Sequence, residues 1–208
     1  QKLRATESIR TRIATSLTED LTNSLSSINI SSELAKTKLE NDSHRTRDYI
    51  HHISETSNRM TQAMYDMVWS INPHNDQMHK TLERMKHYAT EQESIYNINI
   101  TIDADPSIAE KESDMEHRYE LLSIFKEAIA NAVKHSGGKN IHVQLRLRKQ
   151  KLLLLVQDDG KGFELTTVAR GRGINDMKRR AEAIGAQLSI LSEINTGTLV
   201  KLEMNLKY

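Results

Sequence analysis

The chain has no cysteine among its 208 residues. That excludes disulfides and thiolate metal sites and fits a reducing compartment. Proline occurs twice and glycine eight times, and neither occurs before Pro73. A stretch lacking the two strongest breakers reads as long helix. There is no excess of one charge: 27% of residues are charged, yet the net charge is +1. Nothing here marks a nucleic-acid partner, and none is expected. No apolar run approaches the roughly 18 residues that cross a bilayer, and no basic-plus-apolar leader opens the chain. No membrane contact is therefore expected within these residues. The chain opens at Gln1 inside a helical pattern. It reads as a fragment, with room for a sensor or membrane segment upstream.

Two helical stripes fill the first part. Ile13, Leu17, Leu21, Leu25 and Ile28 recur at spacings of four and three, and Ile53, Met60, Met64, Met67, Val68 and Ile71 form the second. Asn41-Asp42-Ser43 is a plausible turn between them. The expectation is an antiparallel helical hairpin over 1–75 that pairs with a second copy as a four-helix bundle, because one hairpin cannot bury both stripes. The alternative is that the stripes pack on the chain's own second domain. A linker helix is expected over 76–95.

From residue 96 to 208 the pattern changes. Ile98, Ile100 and Ile102 alternate with polar residues, Leu121, Leu122, Phe125, Ile129 and Val133 mark a helix over 115–135, and Ile141–Arg148, Lys151–Gln157, Gln187–Ile194 and Leu199–Leu206 read as strands. A helix over Ile174–Ile184 ends at Gly185. The expected fold class is α+β: helices on one face of a mostly antiparallel sheet, preceded by the hairpin.

Four pieces carry chemistry. Glu127 and Asn131 lie one helical turn apart, with Lys134 and His135 near the same end. A carboxylate, an amide oxygen and two basic groups suit a hydrated Mg²⁺ with polyphosphate. Asp158-Asp159-Gly160-Lys161-Gly162-Phe163 follows a buried strand, which puts an acceptor for an adenine amino group beside closely approachable backbone; a plain capped turn is the alternative. Gly171-Arg172-Gly173 leads into a helix N-terminus, a ready anion site. Gly197-Thr198 joins the last two strands.

In this order and spacing, residues 96–206 resemble the ATP-binding domain shared by histidine kinases, type II topoisomerases, Hsp90 and MutL. The resemblance implies a two-layer α/β sandwich, ATP and Mg²⁺ as cofactors, Asn131 coordinating Mg²⁺ with Glu127 in its water shell, Lys134 and His135 facing phosphate, and Asp158 holding adenine, with Gly160, Gly162, Gly171, Gly173 and Thr198 lining the nucleotide. Residues 164–170 would be a short ATP lid, similar to the branch of nitrate-sensing and lipid-fluidity-sensing histidine kinases.

The first helix resembles the same branch, whose pattern is Arg-Ile-Ala-x-x-Leu-His-Asp-x-x-x-Gln. Registered on Arg12-Ile13-Ala14, Thr18 takes the acceptor position, Glu19 the neighbouring acid and Asn23 the amide. A threonine hydroxyl is a poor nucleophile without strong activation, whereas a neutral imidazole is a good one. Three explanations compete: a natural pseudokinase, an introduced substitution, or use of another of the nine histidines. Of these, His44, His51 and His52 have no acid next in sequence, and no pair has convincing metal spacing. The resemblance implies a homodimeric core of a two-component kinase that signals to a response-regulator receiver domain, with autophosphorylation in doubt at Thr18. A phosphatase or scaffold that uses Glu19 and Asn23 is the alternative. A plain ATPase, with Glu127 activating water, is a third.

Overall fold

The computed structural model describes residues 21–37, 43–164 and 172–206. The chain divides into two compact units, Gln1–Ile71 and Asn72–Tyr208.

The first unit is helical: α1 over 21–37 and α2, Ser43–Ile71. Both run unbroken because nothing in them interrupts the backbone ladder. Pro73 opens the short turn Pro73–Asn75, where its missing N–H is not needed, and the Asn72 side chain accepts from the His74 N–H at 3.0 Å. The buried positions among the described residues of this unit are small or polar: Ser31, Ala35, Thr46, Thr56, Asp66 and Ser70. Ser27 Oγ and His52 Nε2 lie 3.2 Å apart and join the two helices. The stripe residues Leu25, Met64 and Val68 are 52%, 50% and 69% exposed, and Ile30, Ile50 and Tyr65 are exposed as well.

The second unit is a five-stranded sheet covered by helices. Its strands are β1, Asn99–Ala104; β2, Asn140–Arg148; β3, Lys151–Asp158; β4, Gln187–Glu193; and β5, Gly197–Asn205. The spatial order is β1-β2-β3-β5-β4, with β1–β2 parallel and the other pairs antiparallel. A parallel pair needs a crossover, and helix α4, Met115–Asn131, lies between β1 and β2 in the chain and provides it. Helix α3, Met78–Tyr96, precedes β1, and α5, Arg172–Ala183, precedes β4.

Alternation decides which face is covered. The ladder pairs Val143 with Val156, Leu145 with Leu154, Val156 with Val200 and Leu154 with Leu202, so these residues share one face, and all are buried. Leu121, Leu122, Phe125 and Ile129 of α4, and Ile174, Met177 and Ala181 of α5, complete that core. The opposite face carries ion pairs instead: Arg146 with Asp103, and Lys151 with Glu203 at 2.7 Å.

Residues 76–95 were expected to link the two parts. In the structure Met78, Leu82, Met85 and Ala89 of α3 are buried, and Tyr88 meets Phe125 edge-on at 6.1 Å. This helix packs within the second unit. Arg118, 1% exposed at the start of α4, pairs with Asp76 at 2.9 Å and holds the segment before α3 in place.

Candidate functional site

α4 is started by Asp114, whose carboxylate accepts from the His117 N–H at 2.9 Å. The helix runs to Asn131, and a single π turn, Ala132–Ser136, follows; Gly137 then stops it at φ +70°. Asn131 Nδ2 donates to Glu127 Oε1 at 3.2 Å, which turns the amide oxygen away from the carboxylate. Lys134 and His135 sit on the π turn and are exposed.

Gly173, in the first turn of α5, lies directly against that pair. A Cβ there would collide with Glu127 Oε1 and come within 3.3 Å of Asn131 Nδ2, so no larger residue fits without displacing them. The glycine in the first turn of this helix and the Glu127–Asn131 ridge, 42 or more residues apart in the chain, therefore meet in space.

Asp158 ends β3 and is 5% exposed. Its Oδ1 accepts from the Gly160 N–H at 2.9 Å, and Thr198 hydrogen-bonds it through backbone and side chain. Burial pushes its carboxyl above the ordinary aspartate value of 3.8; the bonds from Gly160 and Thr198 oppose this, and the charge of Asp159 adds to it. Asp159 behaves in the opposite way. It is exposed and accepts from the Asn140 side chain at 2.7 Å, the Asn140 N–H at 3.0 Å and the Lys139 N–H at 2.8 Å. Those bonds, led by the Asn140 side chain, hold its carboxyl below the usual range. Asp159 fastens the loop to β2, while Asp158 turns a buried acceptor inward.

The loop is stitched on both sides. Lys161 N–H donates to Ser136 O of the π turn at 2.8 Å, which ties the Asp158 loop to the end of α4. Gly162 has φ +59° and its backbone meets Glu193 O, where a Cβ would clash. Asn195 N–H donates to Lys161 O at 2.7 Å, and Phe163 N–H to Ser192 Oγ at 2.9 Å. Thr198 Oγ1 lies 3.0 Å from Ser192 Oγ.

Of the residues singled out from sequence, Glu127, Asn131 and Gly173 form one contact set. Asp158, Gly160 and Thr198 form a second, and the Ser136–Lys161 bond joins the two. Thr18, Glu19 and Gly171 lie outside the described residues. Asn23 is an exposed residue of α1 in the first unit. Sequence reasoning passed over Asp159 as an anchor, and over the buried pair Glu120–Arg180 between α4 and α5. Nothing in the local sequence separates Asp159 from Asp158, because the partners of each are remote. A groove of about 350 Å³ beside the β4–β5 turn touches this region through Ser192, Glu193, Gly197 and Thr198.

Among the described residues no group of three or more His, Cys, Asp or Glu side chains could hold a metal. Mg²⁺ that keeps its waters and takes phosphate oxygens needs only one or two protein oxygens, and Asn131 with Glu127 fits that demand.

The second unit has the fold of the histidine kinase-type ATPase domains. Residues 116–208, somewhat under half of the chain, match the family described as Histidine kinase-, DNA gyrase B-, and HSP90-like ATPase. The chain is similar to the sensor protein VraS of Staphylococcus saprophyticus, 38% identical over 84 residues, which are 40% of this chain and 24% of that protein. The matched stretch is thus about a quarter of the curated relative. Among solved structures, the fold is shared with the Erythrobacter litoralis EL346 blue-light activated histidine kinase (TM-score 0.62, 16% identity, 93% of this chain and 60% of that one). It is shared also with the Acinetobacter baumannii histidine kinase AdeS (TM-score 0.61, 10% identity, 88% and 96%). No helix among the described residues is long and apolar enough to cross a membrane.

Proposed function

We propose that the chain is the catalytic core of a two-component sensor histidine kinase of the short-lid branch, the cytoplasmic part of a membrane receptor, which binds Mg-ATP and signals to a response regulator. The observation that carries this is the junction of Gly173 with the Glu127–Asn131 pair. It brings helix N-terminal backbone, which suits phosphate, against the oxygen groups that suit hydrated Mg²⁺. In this reading Asn131 ligates Mg²⁺ directly and Glu127 holds its waters. When bound, the ion neutralises charge on the phosphates. Lys134 and His135 face the polyphosphate from the exposed π turn. Asp158, ionised, accepts from the adenine amino group, with Gly160 and Thr198 fixing its carboxylate. Gly162 keeps the loop closed against the β4–β5 turn.

In the first unit, the exposed apolar residues Leu25, Met64 and Val68 support a homodimeric four-helix bundle, since pairing with a second copy removes them from water. Titration calorimetry with millimolar ATP and magnesium is the test: heat of binding is expected in the wild type and none in Asn131→Ala or Asp158→Ala. Absence of binding in the wild type overturns the proposal.

Thr18 favours a second reading. With no imidazole at the acceptor position, the chain serves as a dimeric, ATP-binding scaffold or phosphatase in which Glu19 and Asn23 act on a phosphorylated receiver domain. Acid-labile, base-stable label from γ-labelled ATP supports the kinase. Nucleotide binding without label, together with regulator dephosphorylation that Asn23→Ala removes, supports the second reading.

A further inference from the structure

Between α4 and α5 lies an ion pair that the nucleotide chemistry does not use. Arg180 Nη1 meets Glu120 Oε2 at 2.9 Å, with the side chains 15% and 6% exposed, and the Arg180 guanidinium lies 5.6 Å over the Tyr119 ring. Glu120 is seven residues before Glu127, and Arg180 is seven residues after Gly173. Seven residues are two helical turns, so the helices are antiparallel, and two of the points where they touch lie about 10 Å apart on each. One point is the ion pair. The other is the bare glycine against Glu127 and Asn131.

The two contacts differ in kind. A glycine has no side chain to interlock, so the contact at the site end does not by itself fix how far α5 has slid along α4. An arginine–carboxylate bond, part-buried and capped by an aromatic face, is directional. We infer that Glu120 and Arg180 are a positioning pair: they set the register of α5 on α4, and so place the Gly173 amide where it receives the polyphosphate of the nucleotide. They govern phosphate recognition and leave adenine recognition at Asp158 alone. A slip of one residue would carry Gly173 about 1.5 Å along the axis and turn its amide by about 100°. Displacements near 1 Å at a positioned site are enough to cost function heavily.

This inference rests on the Mg-ATP reading above, and the experiment separates the two. Removing one partner would strand a buried charge, whereas replacing both with apolar residues commonly preserves the fold. Two variants of the full chain serve: the double Glu120→Met/Arg180→Met, and Glu120→Gln, which keeps the shape and one hydrogen bond. Affinities for Mg-ATP and for adenosine are measured for each beside the wild type, with melting temperatures. The wild type is expected to prefer ATP. The double variant should lose about tenfold of that preference with its melting temperature nearly unchanged, and Glu120→Gln a smaller part at a lowered melting temperature, with adenosine binding nearly unchanged in both. A preference equal to wild type in both variants overturns the inference. Should the wild type bind neither ligand, the Mg-ATP reading fails, and amide exchange at Met177 and Lys178, whose N–H groups lie inside the hydrogen-bonded part of α5, still decides the register role. Faster exchange in the double variant sustains it, and exchange equal to wild type sinks it.

Discussion

The two units use amphipathic helices in opposite ways. In the second, the apolar faces of α3, α4 and α5 meet a sheet whose inner face is equally apolar, and Leu121, Leu122, Phe125, Ile129 and Leu145 vanish from solvent. In the first, the residues that α1 and α2 hide are Ser31, Ala35, Thr46, Thr56, Asp66 and Ser70, while Leu25, Met64 and Val68 stay outside. A helix–helix seam of small residues lets backbones come close but releases little water. A seam of leucines releases much, at about 25 cal/mol per Å² of apolar surface. The second unit holds the makings of its own stability. The first leaves apolar side chains of both its helices in solvent.

That contrast can be broken by mutation. Leu145→Ala removes a side chain with no exposure from the sheet core and is expected to destabilise the second unit by about 2–5 kcal/mol, as large-to-small core changes do. Denaturant unfolding followed in the full chain measures it. Val68→Ala, measured at a concentration where the chain is monomeric, should cost well under about 1 kcal/mol, as surface changes do; a cost equal to that of Leu145→Ala would erase the distinction between the units.

The sharper test of the first unit is association. Val68→Asp or Met64→Asp is expected to weaken self-association roughly 10- to 100-fold, the worth of one buried apolar side chain, read by sedimentation equilibrium. Nucleotide affinity should be untouched. Equal association of wild type and variants would mean that this face is not the dimer surface.

The smallest effects lie at the pair of neighbouring aspartates. The folded-state pKa of Asp158 lies above its unfolded value. Its ionisation therefore works against folding, and its favourable contribution is complete below the unfolded value of 3.8 and lost as pH rises through the folded one. Asp158→Asn should raise the melting temperature slightly at neutral pH while weakening nucleotide binding. The wild type should lose affinity on acidification at a higher pH than an ordinary aspartate would allow. Asp159 has a lowered pKa, so its contribution is present above the ordinary value and fades as pH falls through the folded one. Asp159→Asn should lower the melting temperature at neutral pH. Opposite signs in the two variants, by calorimetry across pH, are the expected outcome.

Much of this was legible along the chain. The strand alternation of Ile141–Arg148, the Leu-rich β3 and the left-handed cap at Gly185 are short-range signals, and the structure has each where it was expected. The stripes of the first unit were legible as stripes, but their exposure was not, because periodicity reports one face of a helix and not what lies against it. The same limit hid α3: its apolar residues looked like a connector's, yet Met78, Leu82 and Met85 are buried.

Local order alone thus determined the helices, the strands and the glycine-bearing turns, since propensity, period and composition act over a few residues. Only folding decided that Gly173 abuts Glu127, that Asp158 is buried while Asp159 is spent on β2, and that Glu120 and Arg180 find each other across 60 residues of chain. Those facts depend on which surfaces pack together, and packing is set by the balance of burial and pairing over the whole unit.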